Sequence, residues 1–182
     1  MNLQTRRKAW VGLLLTAAAG TASAASKLSV VTATEDLAAL SREVGGDRVN
    51  AESIARGYQD PHYVEAKPSF LLKLQKADLL VAVGLQLELG WLPPLITQSR
   101  NAKIQVGSPG YLDVSNYCQI LEIPAGPITR AAGDVHPLGN PHYWLDPANG
   151  RRIARAVQNK LSEKQPNDAA YFAQRYADFD RR

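Results

Sequence analysis

The chain has 182 residues, 45% of them hydrophobic and 21% charged, with a formal net charge of +4. Residues 1–24 contain Arg6, Arg7 and Lys8 but no acid, so removing them takes the charge to +1, and the basicity gives no reason to invoke a nucleic-acid partner. The single cysteine, Cys118, excludes an internal disulfide and reads as a small buried hydrophobe.

The basic start, the apolar run Ala9–Ala19 and the small-residue pattern Ala22-Ser23-Ala24 form an export signal cut after Ala24, because the apolar core is too short to span a bilayer. Arg6-Arg7 alone, without a fuller motif, is a weak sign of twin-arginine export. Cys118 is far from this region, so lipid attachment at a processed amino-terminal cysteine is not expected. No later segment reaches membrane-spanning length. The expected product is therefore exported and soluble, in the periplasm, with no stable membrane insertion after signal cleavage, and long enough for one well-formed core.

Leu28–Thr32 reads as a buried strand. Thr34 followed by Glu35-Asp36 can cap a helix carrying Leu37, Leu40 and Val44, which Gly45-Gly46 ends. Val49–Ile54 is the next strand, and Gly57–Ala66 is a loop containing Asp60-Pro61-His62. Pro68 suits the first turn of a helix with Phe70, Leu71 and Leu74 on its apolar face. Leu79–Val83 is a continuous apolar strand that needs cover on both sides. Trp91, Leu92, Leu95 and Ile96 mark another helix starting near Pro93-Pro94, and Lys103–Val106 a short strand. Asp146 is an N-cap with Pro147 at the first helical position, ahead of Ile153, Val157 and Leu161 at helical spacing; Arg151, Arg152, Arg155 and Lys160 then form its solvated side. Finally, Asp168–Arg182 places Phe172, Tyr176 and Phe179 along one side of a helix with no strand after it for them to cover, which reads as the beginning of a long helix or, alternatively, as a terminal packed helix. Strands alternating with helices predict an α/β fold, a parallel sheet covered by helices on both faces, with ligands approached at the carboxyl ends of the strands.

The chemistry concentrates in histidines. Neutral imidazole is a good ligand for zinc and similar ions, and the prolines in Pro61-His62 and Pro141-His142 reduce the entropy lost in fixing it. Residue chemistry alone leaves His62 and His142 equally readable as ordinary loop residues; their paired settings favour metal. His136, six positions before His142, either completes the site, delivers the ion or is an exposed loop residue. Glu65 can accept a proton from the back nitrogen of His62 or rest against Lys67, and Asp60 can support the turn. Tyr143 and Trp144 have the size to brace the second loop, and Tyr58 or Tyr63 to shelter the entrance. No nucleophile elbow, paired-cysteine motif, phosphate loop or His-Glu-x-x-His helix is present. A metal-dependent hydrolase using the same histidines, and a metal-linked adhesion or storage protein, stand as alternatives to a binding protein.

Asp60-Pro61-His62-Tyr63-Val64-Glu65-Ala66-Lys67-Pro68-Ser69, Ala77-Asp78-Leu79-Leu80-Val81-Ala82-Val83-Gly84 and Gly139-Asn140-Pro141-His142-Tyr143-Trp144-Leu145-Asp146-Pro147 occur in an order that resembles the zinc/manganese solute-binding proteins of bacterial metal-import ABC transporters. The resemblance runs from about Lys27 to the end. It implies a non-catalytic receptor that carries Zn²⁺, or alternatively Mn²⁺, to an inner-membrane ABC permease, with two α/β lobes joined by a long helix. His62 and His142 match the two amino-lobe ligands, and the remaining ligands come from a carboxyl lobe. On this reading residues 27–164 are the amino-terminal metal-binding lobe, 167–182 begin the inter-lobe helix, and the carboxyl lobe is absent, which would impair capture. His136 lies where some zinc receptors carry a histidine-rich loop.

Overall fold

The computed structural model describes residues 26–126 and 136–182; the export signal expected at 1–24 lies outside them. Four strands, β1 (Leu28–Thr32), β2 (Val49–Ser53), β3 (Leu79–Ala82) and β4 (Tyr111–Asp113), form one sheet in the order β2-β1-β3-β4, every pair parallel. Five helices accompany them: α1 (Glu35–Gly45), α2 (Pro68–Lys76), α3 (Leu92–Ser99), α4 (Pro147–Lys164) and α5 (Ala169–Arg181).

Strand periodicity decides the layering. Successive side chains point to opposite faces, so Val30, Leu79 and Val81 join α1, α4 and α5 in one core, with Leu37, Val44, Ile153, Val157, Leu161 and Phe172. Val31, Leu80 and Ala82 enter the other, with Leu74 from α2 and Leu92, Leu95 and Ile96 from α3. A sheet buried on both faces is the expected setting for parallel strands. Two helix starts follow from sequence, those of α2 and α4: Pro68 and Pro147 occupy first-turn positions where a missing amide costs little, and Asp146 accepts from Ala148 N at 2.9 Å. Thr34 occupies the cap position of α1, yet its hydroxyl is buried and makes no hydrogen bond among the described residues.

Two readings change. Lys103–Val106 is not a strand; Ala102–Ile104 is a single 3₁₀ turn, and the fourth strand comes later, at Tyr111–Asp113. The Asn101 side chain accepts from Lys103 N at 3.0 Å, while Lys103 O accepts from Gly110 N at 2.9 Å, so this backbone is used locally before the chain joins the sheet. The aromatic stripe of α5 needs no further strand. Phe172 and Tyr176 are buried against α1 and α4, with Phe179 partly covered, and Arg151 and Arg155 of α4 turn toward α5, to Asp180 and the ring of Tyr176.

The chain leaves β1 for edge strand β2 and then crosses back to β3 on the other side of β1. That reversal opens a crevice beyond the carboxyl ends of the strands. The loop after β2 carries His62, and the loop before α4 carries His136 and His142.

Candidate metal centre

The two proline-histidine loops are built alike. Asp60 Oδ1 accepts from the backbone N–H of His62 at 2.9 Å, and Asn140 Oδ1 accepts from that of His142 at 2.9 Å. Each is an Asx turn in which an acid or amide folds back over a proline onto the histidine two residues on. Gly139, at φ 102°, lets the second loop lie close against Ile120 and Ile123, and Asn140 N then donates to Leu121 O at 2.9 Å. The buried Asn149 closes this side by donating to both Gln119 O and Tyr143 O at 3.1 Å.

The loops are tied to the two ends of the segment that joins β3 to α3. Trp91 Nε1 donates to Pro61 O at 2.8 Å, beside His62, and Tyr143 Oη donates to Val83 O, beside His142. Tyr143 thus braces the loop as its size suggested, and the Trp144 ring lies tilted at 53° to that of His142, with centroids 5.2 Å apart. Tyr58 and Tyr63 are each 80% exposed, with Tyr63 at 6.2 Å from His62.

His62, His136 and His142 come together. One ligand nitrogen from each lies within 4.8 Å of the others, and all three rings are half-buried. His62 Nε2 stands 3.3 Å from His136 Nε2. Two nitrogens bound tetrahedrally to zinc at about 2.05 Å are about 3.3 Å apart, so this pair already has the separation one ion demands.

Asp60 Oδ1 also accepts from His62 Nδ1 at 2.7 Å, which fixes the tautomer and leaves Nε2 as the donor atom of that ring. Glu65, considered for that task, is exposed, and the task falls to Asp60. The two N–H groups of His62 hold the Asp60 carboxyl below its ordinary range. Burial, then the neighbouring charges of His62 and His136, hold His142 below the usual histidine value, which favours the neutral ligand form. Cys118, partly buried against the core, has its thiol pushed up to about 11 by burial and is no ligand candidate.

Sequence reasoning missed Glu88. Its carboxylate is 4% exposed and accepts from Val83 N at 2.6 Å and Gly84 N at 3.1 Å, and burial pushes it up to about 7. The available signal was an acid inside the leucine-rich Leu85–Leu92 segment, where Gln86 is the other polar side chain, shortly after a buried strand.

An α/β lobe with clustered imidazoles at the carboxyl edge of its sheet is the architecture of periplasmic metal-binding receptors. A zinc-bound ZnuA lacking residues 138–173 superposes with TM-score 0.68 at 25% identity, covering 85% of this chain and 53% of that one. The Mn-bound periplasmic metal binding protein from Candidatus Liberibacter asiaticus gives TM-score 0.67 at 17% identity over 85% and 52%, a likeness of fold. The manganese ABC transporter substrate-binding lipoprotein scaA of Streptococcus gordonii is 30% identical over 169 residues, 90% of this chain and 51% of that protein. The family described as ZnuA, zinc-uptake complex component A, periplasmic, matches residues 30–182, and the chain belongs to it. The chain spans about half the length of the curated relatives it matches. No described helix is long and apolar enough to cross a membrane.

Proposed function

We propose that this chain captures a divalent transition metal, Zn²⁺ ahead of Mn²⁺, at His62, His136 and His142, and presents it in the periplasm for uptake by an inner-membrane ABC permease. The observation that carries the reading is the convergence of three imidazole nitrogens within 4.8 Å, one pair of them at the tetrahedral spacing. Three neutral nitrogen donors suit zinc, whereas manganese favours carboxylate oxygens, and no carboxylate belongs to this described cluster. The matches themselves divide between the metals, since the family is described by zinc and the scaA relative by manganese.

In this reading residues 1–24 direct export, residues 27–164 are the amino lobe, and α5 begins the helix leading to a second lobe that supplies further ligands. Three imidazoles leave a tetrahedral ion one position for water, so capture by this lobe alone is weaker than capture in a closed site. Zinc titration of the starting chain against His62→Ala, His136→Ala and His142→Ala tests the assignment. Each substitution weakens binding, with Mn²⁺ bound less tightly than Zn²⁺ throughout; unchanged zinc affinity in all three variants rejects the site.

A further inference from the structure

The segment between β3 and α3 contains an arrangement that the capture site alone does not explain. Gly84, Leu85 and Gln86 follow one another at φ 80°, 52° and 69°, three left-handed residues of which two carry side chains. A non-glycine residue in that region costs roughly 1–2 kcal/mol, so such a run persists only where its surroundings hold it. Glycine is required at its head, because a Cβ on Gly84 would collide with the Asp113 carboxylate of β4.

What holds the turn is Glu88. One carboxylate oxygen takes the amide of Val83 and the other that of Gly84, folding the chain back onto the end of β3. The backbone carbonyl of Glu88 accepts from Trp91 N at 3.1 Å and Leu92 N at 2.9 Å, so the same residue also anchors the start of α3. The two ends of this short segment are the two points at which the histidine loops are tied: Val83 O receives Tyr143 Oη, and Trp91 Nε1 reaches Pro61 O. Val83, Leu87 and Trp91 are each at most 3% exposed, so the segment is packed as a unit.

We propose that Glu88 is a positioning residue for the metal centre, setting the separation of His62 and His142 by fixing the left-handed turn within the segment whose two ends, Val83 and Trp91, hold their loops. The proposal rests on the capture reading above. It touches no metal ligand and supplies no donor atom; its effect is transmitted through Val83 to Tyr143 and through Trp91 to Pro61. Glycine at 84 and a carboxylate at 88 thus act on the site from beneath, at the point where the sheet changes direction.

The test uses Co²⁺, whose visible absorption reports coordination geometry, titrated into the metal-free chain and into Glu88→Ala and Glu88→Gln. The alanine variant is expected to bind Co²⁺ at least about tenfold more weakly, the scale found for residues that orient ligands without touching the ion, and to show a displaced absorption band. Glutamine keeps one acceptor oxygen and is expected to show a smaller loss in the same direction. A folded alanine variant with the starting affinity and an unchanged band overturns the role of Glu88. Should the alanine variant fail to fold, the glutamine variant decides, and starting-chain affinity and band from it overturn the proposal equally. A starting chain that takes up no Co²⁺ overturns the capture reading and this proposal with it, whereas an unchanged cobalt site in the variants overturns Glu88 alone.

Discussion

Asp60 offers a direct measure of how much the loop contributes beyond donating a histidine. Its Oδ1 receives two N–H groups of His62, the backbone amide at 2.9 Å and the ring Nδ1 at 2.7 Å, so Asp60→Ala frees both the turn and the ring. Loss of an orienting carboxylate behind a ligating histidine costs 10- to 100-fold in affinity. The Asp60 side chain is 57% exposed, and solvent screening places the effect at the weaker end, about tenfold or about 1.4 kcal/mol. Asp60→Asn reproduces the amide that stands before His142 and keeps the turn, so most of the affinity is retained. Zinc competition against a chromophoric chelator at neutral pH, with thermal melts to establish folding, reads both variants. A folded Asp60→Ala chain whose zinc affinity is indistinguishable from the starting chain refutes the reasoning.

Other outcomes follow from burial and charge. Zinc affinity is steady above about pH 7 and falls as pH drops through the histidine range, because protons compete for the imidazoles; burial holds His142 below the ordinary value and so resists its protonation, and chelator titrations across pH check the curve. Glu88 acts on stability with the opposite sense. Its carboxyl is raised from 4.5 to about 7, so its contribution to metal-free stability is complete below about pH 4.5 and is lost as pH rises through about 7. That loss is about 3 kcal/mol at 1.36 kcal/mol per pH unit, and denaturant melts should show it removed in Glu88→Gln; identical pH profiles in the two proteins contradict it. Phe172→Ala, at a fully buried position, lowers stability by about 3–5 kcal/mol in the same melts, and a loss below about 1 kcal/mol shows that α5 does not pack on this lobe.

Three of the four strands were legible because their buried positions are chiefly apolar and they are bounded by residues with one conformational meaning. Leu79–Ala82 is buried at every position, and Pro68, Asp146 and Pro147 mark helix starts by chemistry that operates within one turn. The fourth strand was not legible, since Lys103–Val106 is as apolar in pattern as Tyr111–Asp113. What separates them is where the backbone hydrogen bonds go: Asn101 and Gly110 draw the earlier segment into a local turn. At the site, the prolines announced two histidines held outside regular structure, and the third was visible only as a histidine six residues away. Its convergence with the other two depends on long-range packing. Sequence reading offered Glu65 as the back partner of His62 and Asp60 as a support of the turn, and the Asx turn places Asp60 in both roles. Glu88 is silent in a periodicity reading because its partners are backbone amides four and five residues earlier.

The matched turns before His62 and His142 bear on how the proposed capture site would release an ion. The backbones at His62 and His142 are each held by an Asx turn within their own loop and by an anchor at Trp91 or Val83, so these two loops are positioned by the fold itself. Zinc-finger domains, by contrast, collapse when stripped, and their ion is bound up with the whole folding free energy. On the proposed capture reading, loops held in this way need not be rebuilt each time an ion leaves, a property suited to repeated loading and unloading.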